Sequence, residues 1–291
     1  MSDVYYHHPD DKQFSLDFVN PNSEKVVDRI TDYGGDTAIK MMEYDYDRCF
    51  YVVYTSRVGG GVVKNLELDL RESIKSMNKD NGTVVARLLE IYESLIEENE
   101  REEGIPVEAY KDIDIAELPA ALDRTDWSGT ATQVAGRLAS NLVLKHALPN
   151  ANHRTAVAMI QFYLRRVNSN FSMPETAVEI EPDVYDWREW VNNYINESKR
   201  LLTVRRKNIT FKYVREFGGT TLIRKHGVRI PLSAYELDMP PSSAKEQYAE
   251  KHERLWIEFA EEAVKRAGKS ALEEQSGLTK SEFAEKVRRF D

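Results

Sequence analysis

The stretch from about Asn152 to Val167 constrains the fold more than any other. Within it, "AVAMIQFYL" is apolar nearly all round, whereas a surface helix carries a single apolar stripe. The pattern predicts a helix in a central, buried position. Just ahead, "SGTATQVAGRLASNLVLKHALP" (128–149) places Ala131, Val134, Leu138 and Leu142 on one helical face and stops at Pro149. Two apolar helices joined by a short polar turn therefore organise the middle of the chain.

Other segments supply the cover. Val85, Leu88, Leu89, Tyr92, Leu95 and Ile96 recur at helical spacing from residue 83, and "EENEREEGIP" (97–106) ends that helix. "DVYDWREWVNNYINESKRLL" (183–202) reads as a helix capped by Asp183, with Trp187 and Trp190 at core spacing. Two amphipathic helices are expected at roughly 242–267 and 279–290, the second a capped surface helix. Strand signals lie outside this core. "RCFYVVYTSRV" (48–58) is aromatic and β-branched; with the break at "VGGGVV" (58–63) and the extended "VVKNLELDL" (62–70) it suggests a hairpin. "DYGGD" (32–36) is a turn, and "NITFKYVREFGGTTLIRKHGVRIPL" (208–232) reads as strand-rich. The expected order is an N-terminal α/β segment (1–80), a helical core (81–203), a small β segment (204–240) and C-terminal helices (241–291). The fold class is mainly α, with small β segments in the N-terminal and C-terminal additions.

Composition narrows the function classes. A net charge of −9 opposes binding of nucleic acid by the whole surface. The most basic run, "KRLLTVRRKN" (199–208), reads as a solvated helix end. One cysteine, Cys49, excludes an intramolecular disulfide framework and a cysteine-built zinc site. "MSDVYYHHPDDKQ" lacks the basic and apolar regions of a signal peptide. No stretch reaches the roughly 20 apolar residues that span a bilayer. The expected location is the cytoplasm, with no membrane partner. "HHPDD" (7–11) gathers histidine and aspartate, and reads as a mobile N-terminus rather than a metal site. "GGG" (59–61) lacks the Lys-Ser/Thr of a phosphate-binding P-loop.

The chemistry concentrates in "KHALPNANHRTA" (145–156). One reading is a polar loop and a helix cap. The other is a phosphate cradle. Backbone N–H groups at a helix start lack intrahelical acceptors and carry partial positive charge. Ala151 is small enough to let an anion approach the backbone. Asn152 either holds the loop or donates to phosphate, Arg154 offers a planar fork to the same anion, and His146 is placed to accept a proton from an incoming hydroxyl.

The stretch "HALPNANHRTAVAMIQFYLRR" (146–166) resembles the signature of the Fic/Doc family, H-x-F-x-[D/E]-G-N-G-R-x-x-R. It is most similar to the Doc (death-on-curing toxin) branch, H-x-F-x-[D/E]-A-N-K-R-T-A followed by an apolar helix ending Phe-Leu-Arg-Arg. His146, Ala151, Asn152, Arg154, Thr155, Ala156 and "YLRR" (163–166) carry the likeness, which is firm over 146–166 and extends more loosely over 83–203. The resemblance implies a Fic-like helical core. It also implies a toxin-like transferase that moves a phosphoryl or AMP group from ATP, with Mg²⁺, to a hydroxyl of a cytosolic protein such as a translation factor. An antitoxin partner is part of the same expectation. By position, His146 would be the general base, Ala151, Asn152, His153 and Arg154 would hold the nucleotide phosphates, and Asn150 would face the metal.

Three positions depart from the pattern. The acidic metal ligand is replaced by Asn150, whose amide oxygen lacks the charge that hard cations favour. The aromatic anchor is Leu148, and the Doc-type lysine is His153. The family's second arginine falls on Val157, a loss shared with the Doc branch that favours γ-phosphoryl over AMP transfer. "SLIEEN" (94–99) matches the family's inhibitory pattern, but Glu98 would lack its arginine partner, so it reads as a solvated helix face. The alternative function is a Fic-fold binding or regulatory protein without turnover.

Overall fold

The computed structural model describes residues 2–57, 66–103, 111–181 and 184–289. The hairpin turn expected at 58–63 and the Asp183 cap lie outside them. The chain opens with β1 (Asp3–Tyr5), β2 (His7–His8) and β3 (Asp11–Asn20), then α1 (Ser23–Thr31), β4 (Thr37–Asp45) and β5 (Cys49–Arg57). Next come α2 (Leu66–Ser76), α3 (Lys79–Glu103), α4 (Glu117–Arg124), α5 (Ala131–Lys145) and α6 (Asn152–Val167). Then follow β6 (Ala177–Glu181), β7 (Val184–Trp187), α7 (Glu189–Glu216), β8 (Thr221–Ile223), β9 (Arg229–Pro231), α8 (Pro241–Arg266) and α9 (Lys280–Arg288). The protein is mainly α with small sheets, as its sequence predicts.

These elements form two units, and each is assembled from distant parts of the chain. The first comprises Met1–Gly59 and Asn196–Glu250; the second comprises Gly60–Ile195 and Lys251–Asp291. In the first unit an antiparallel sheet runs in the order β2-β3-β5-β4, and a second sheet runs β1-β8-β9, with β1 and β8 parallel. The aromatic and β-branched residues of β5 are in strand as expected, and Phe50, Val52, Val53 and Tyr54 are fully buried. α1 starts on Asn22, whose side chain accepts from the N–H groups of Glu24 and Lys25.

In the second unit α6 is central as its composition implies, but it is not enclosed all round: Gln161 and Phe162 are half-buried and Arg165 is exposed. Ala156, Met159, Ile160, Tyr163 and Leu164 are sealed from solvent, and α5, α3 and α9 pack around it. α5 begins with a capping box in which Thr130 and Gln133 exchange hydrogen bonds. Its Gly136 permits a close crossing with α8, since a Cβ there would lie 2.5 Å from the Ile257 backbone.

Several local expectations are corrected. Residues 66–76 form α2 rather than an extended arm of a hairpin. Residues 208–216 are helical, the part of α7 beyond a kink at Lys207 (φ −126°, ψ 25°); only Thr221–Ile223 and Arg229–Pro231 of the expected β segment are strands. Asn208, Phe211 and Val214 are buried at helical spacing, and this tertiary burial overrides their strand propensity. The helix expected from 183 begins at Glu189, because β7 pairs with β6 as a hairpin. His7, His8 and Asp11 lie in the paired strands β2 and β3 rather than in a loose N-terminus. Trp187 and Trp190 are only partly buried. The Trp190 ring stacks on Phe259 at 5.4 Å beneath the Arg266 guanidinium. α9 is capped by Thr279 as expected, but it buries Phe283 and Val287 rather than lying on the surface. No helix among the described residues is long and apolar enough to cross a membrane.

Candidate functional site

The α5–α6 turn is held by backbone geometry that L-residues rarely adopt. α5 ends at Lys145, and His146 follows in the left-handed region (φ 50°, ψ 45°), its N–H still bonded to the Leu142 carbonyl at 3.2 Å. Ala151 repeats that conformation (φ 50°, ψ 17°) immediately before α6. Only three non-glycine residues among those described have positive φ, and two of them bracket this turn. Each costs roughly 1–2 kcal/mol, so the surrounding bonds must enforce them.

Asn152 supplies much of that enforcement. Its Oδ1 accepts from the Leu148 N–H at 3.2 Å, and its Nδ2 donates to the carbonyls of Leu148 (3.0 Å) and Asn150 (3.2 Å). The side chain is 8% exposed. Of the two roles its position allowed, this one holds the loop. The Ala151 carbonyl takes both the N–H and the hydroxyl of Thr155, which ties the first turn of α6 back on itself. From outside the motif, the Asp114 N–H donates to the Ala147 carbonyl at 2.9 Å and the Lys111 ammonium donates to the His146 carbonyl.

Asn150 is 7% exposed, and its Oδ1 accepts from the Tyr92 hydroxyl on α3 at 2.8 Å. Burial pushes the Tyr92 phenol upward, so it stays protonated and donating. His153 is half-buried with its ring 6.2 Å from Trp256, Arg154 is exposed at the start of α6, and Val157 is buried in the helix interior. Glu98 is exposed on α3.

This arrangement suits an anion better than a metal. The N-terminus of α6 follows a turn whose two asparagines are buried, and a helix start with an exposed arginine, Arg154, in its first turn complements negative charge. The Asn150 oxygen, by contrast, already receives a hydroxyl proton. Among the described residues no group of three or more His, Cys, Asp or Glu side chains is gathered for a cation. The turn's donor set therefore does not fit a resident Mg²⁺ ion. Two surface clefts, of about 420 and about 330 Å³, lie elsewhere in the second unit: one is bordered by Asn81 and Asp123, the other by Arg87 and Arg165.

Sequence reading placed the six residues His146, Asn150, Ala151, Asn152, His153 and Arg154 on one turn, and they share it. It missed Tyr92, which appeared only as a member of an apolar stripe, and Lys111, which carries no local signal at all.

The fold and the turn define a mainly α protein in which α5 and α6 are joined by a turn bracketed by two left-handed residues. The chain belongs to the family described as "Family of unknown function (DUF8172)", whose profile it matches over residues 1–291. No curated protein and no solved structure matches it.

Proposed function

We propose that the chain is a Fic/Doc-type transferase, moving a phosphoryl or AMP group from ATP to a hydroxyl of a cytosolic protein. The observation that carries this reading is the turn itself. His146 and Ala151 are both left-handed, and Asn152 is stapled across Leu148 and Asn150, so the start of α6 is fixed beside a histidine. In this reading the backbone of Ala151–His153 and the Arg154 guanidinium hold the phosphates. Asn152 contributes by fixing that backbone rather than by touching the nucleotide. ATP supplies the phosphorus centre, with ADP or pyrophosphate leaving. His146 takes the proton from the target hydroxyl as its oxygen attacks. A cytoplasmic, toxin-like role with a translation-factor target and an antitoxin partner belongs to the same proposal.

The reading is tested by incubating the chain with ATP labelled at the α or γ phosphate and candidate protein targets. Transfer of the γ label identifies a kinase, and transfer of the α label an AMP transferase. Replacement of His146 by alanine is expected to reduce either by at least about 100-fold, the lower range for a lost general base.

A second reading, binding without turnover, is favoured by the Tyr92–Asn150 hydrogen bond, because it occupies the atom that would meet the metal. Calorimetry with ATP separates the two from a plain scaffold: nucleotide binding without label transfer supports the binding protein.

A further inference from the structure

Away from the α5–α6 turn, the first unit holds a guanidinium, that of Arg224, with an enclosed nitrogen that has no hydrogen-bond partner. Arg224 directly follows β8. One Nη donates to the Lys199 carbonyl of α7 at 2.8 Å, and the guanidinium lies 5.7 Å from the centre of the Tyr6 ring. Its Nε is shut off from solvent and has no hydrogen-bond partner. Among the described residues no carboxylate pairs with Arg224, although enclosed guanidiniums are ordinarily paired.

His7 of β2 is its neighbour. The Tyr6 ring that Arg224 approaches also meets the His7 ring edge-on, at 4.8 Å. His7 Nδ1 shares a proton with the Ser15 hydroxyl at 3.2 Å, while Nε2 is closed off from solvent and has no partner. Burial holds the imidazole far below its ordinary value, at about 3. The next causes are neighbouring basic groups: Arg224, then Lys225, Lys12 and His226. The charge of Arg206 also acts on Arg224. A neutral His7 that accepts the Ser15 proton at Nδ1 presents Nε2–H as a donor. Two enclosed nitrogens, one of them on a charged guanidinium, have no hydrogen-bond partner, and in this tautomer of His7 both are donors. A water molecule could satisfy the hydrogen bonds but would leave the charge uncompensated. Several cations around two inner donors match a dianion better than the single charge of a carboxylate.

We propose that the first unit binds a phosphate-class oxyanion, free phosphate or a phosphate monoester, with Arg224 Nε–H and His7 Nε2–H as inner donors and Lys12 and Lys225 supplying outer charge. The ligand supplies the negative charge that no carboxylate among the described residues brings to Arg224. The site is separate from the α5–α6 turn and does not depend on the transferase reading.

The test uses the full chain, titrated with inorganic phosphate against chloride at constant ionic strength, with acetate as a carboxylate arm. Phosphate is expected to raise Tm progressively, as any ligand of the native state does, and to shift the His7 Nε2–H resonance in ¹⁵N spectra. Acetate is expected to do neither. Arg224→Met is expected to weaken phosphate binding at least about tenfold, the scale of one lost charge-assisted hydrogen bond. In chloride it should melt above the native chain, because an enclosed charge has gone. Should that variant fail to fold, His7→Phe and the native-chain resonance carry the same comparison. O-phosphoserine and AMP arms distinguish a protein-borne from a nucleotide-borne phosphate by which binds more tightly than phosphate itself. The proposal is overturned if phosphate changes neither Tm nor the His7 resonance, if acetate matches phosphate, or if Arg224→Met responds to phosphate as the native chain does.

Discussion

The α5–α6 turn and the Arg224–His7 cluster are both polar groupings enclosed by structure, and they end in opposite states. Asn150 and Asn152 are nearly sealed, yet their amide oxygens are satisfied within the turn or by Tyr92. Arg224 Nε and His7 Nε2 are sealed and unsatisfied. A turn that satisfies its own side chains is a finished scaffold, and what it offers a ligand is the helix start it positions. A cluster whose enclosed nitrogens have no partner is an unfinished one, and it offers the side chains themselves. The difference marks where rigidity serves a site and where a missing partner is the site.

The contrast is broken most severely at Asn152. Asn152→Ala removes three hydrogen bonds and leaves the Leu148 N–H enclosed without an acceptor. The expected loss is about 2–4 kcal/mol of stability in urea unfolding. Asn152→Asp keeps the bond from Leu148 and should fall between the two. Tyr92→Phe tests the other anchor. It strands the Asn150 oxygen without a donor, for an expected cost of about 1–3 kcal/mol, with α3 otherwise intact.

The finished scaffold was the legible one. α5 and α6 announce themselves by helical period, by Pro149 between them and by the all-round apolar run, and each of these signals is local. The turn's residues are contiguous, so a short motif captures them together. The cluster was illegible for the opposite reason: His7 and Arg224 come from distant parts of the chain and meet only once β1 pairs with β8 and β2 with β3. Read alone, "HHPDD" looked like a loose end. Likewise "NITFKYV" carries strand-forming residues, and only the burial of Phe211 and Val214 in the assembled first unit makes it helix. Asn150 showed its departure from the acidic pattern in sequence, but not the Tyr92 hydroxyl that occupies it.

Acid sharpens the comparison from the other side. The folded His7 titrates near 3 and the unfolded one near its ordinary 6.5. Between those values the unfolded chain binds the extra proton, so stability falls as pH drops through that window, by at most about 1.4 kcal/mol per pH unit from this group. His7→Gln is expected to flatten that part of the profile. Bound phosphate is expected to flatten it too, since a dianion beside the imidazole raises its folded value. Neither change should follow from substitutions in the α5–α6 turn. The smallest expected effect belongs to Ala151→Gly, which relieves left-handed strain without touching a hydrogen bond. A net gain of about 0.5–1 kcal/mol should appear as a higher urea midpoint with unchanged slope.

The transferase reading meets its most direct test in mass spectrometry of cell-lysate proteins incubated with the purified chain and ATP, run beside the His146→Ala variant. A mass gain equal to a phosphoryl or adenylyl group on a protein hydroxyl, present with the native chain and lost with the variant, is the expected result. An equal gain with both proteins, or none with either, contradicts the assignment of His146 as the base of a transfer site.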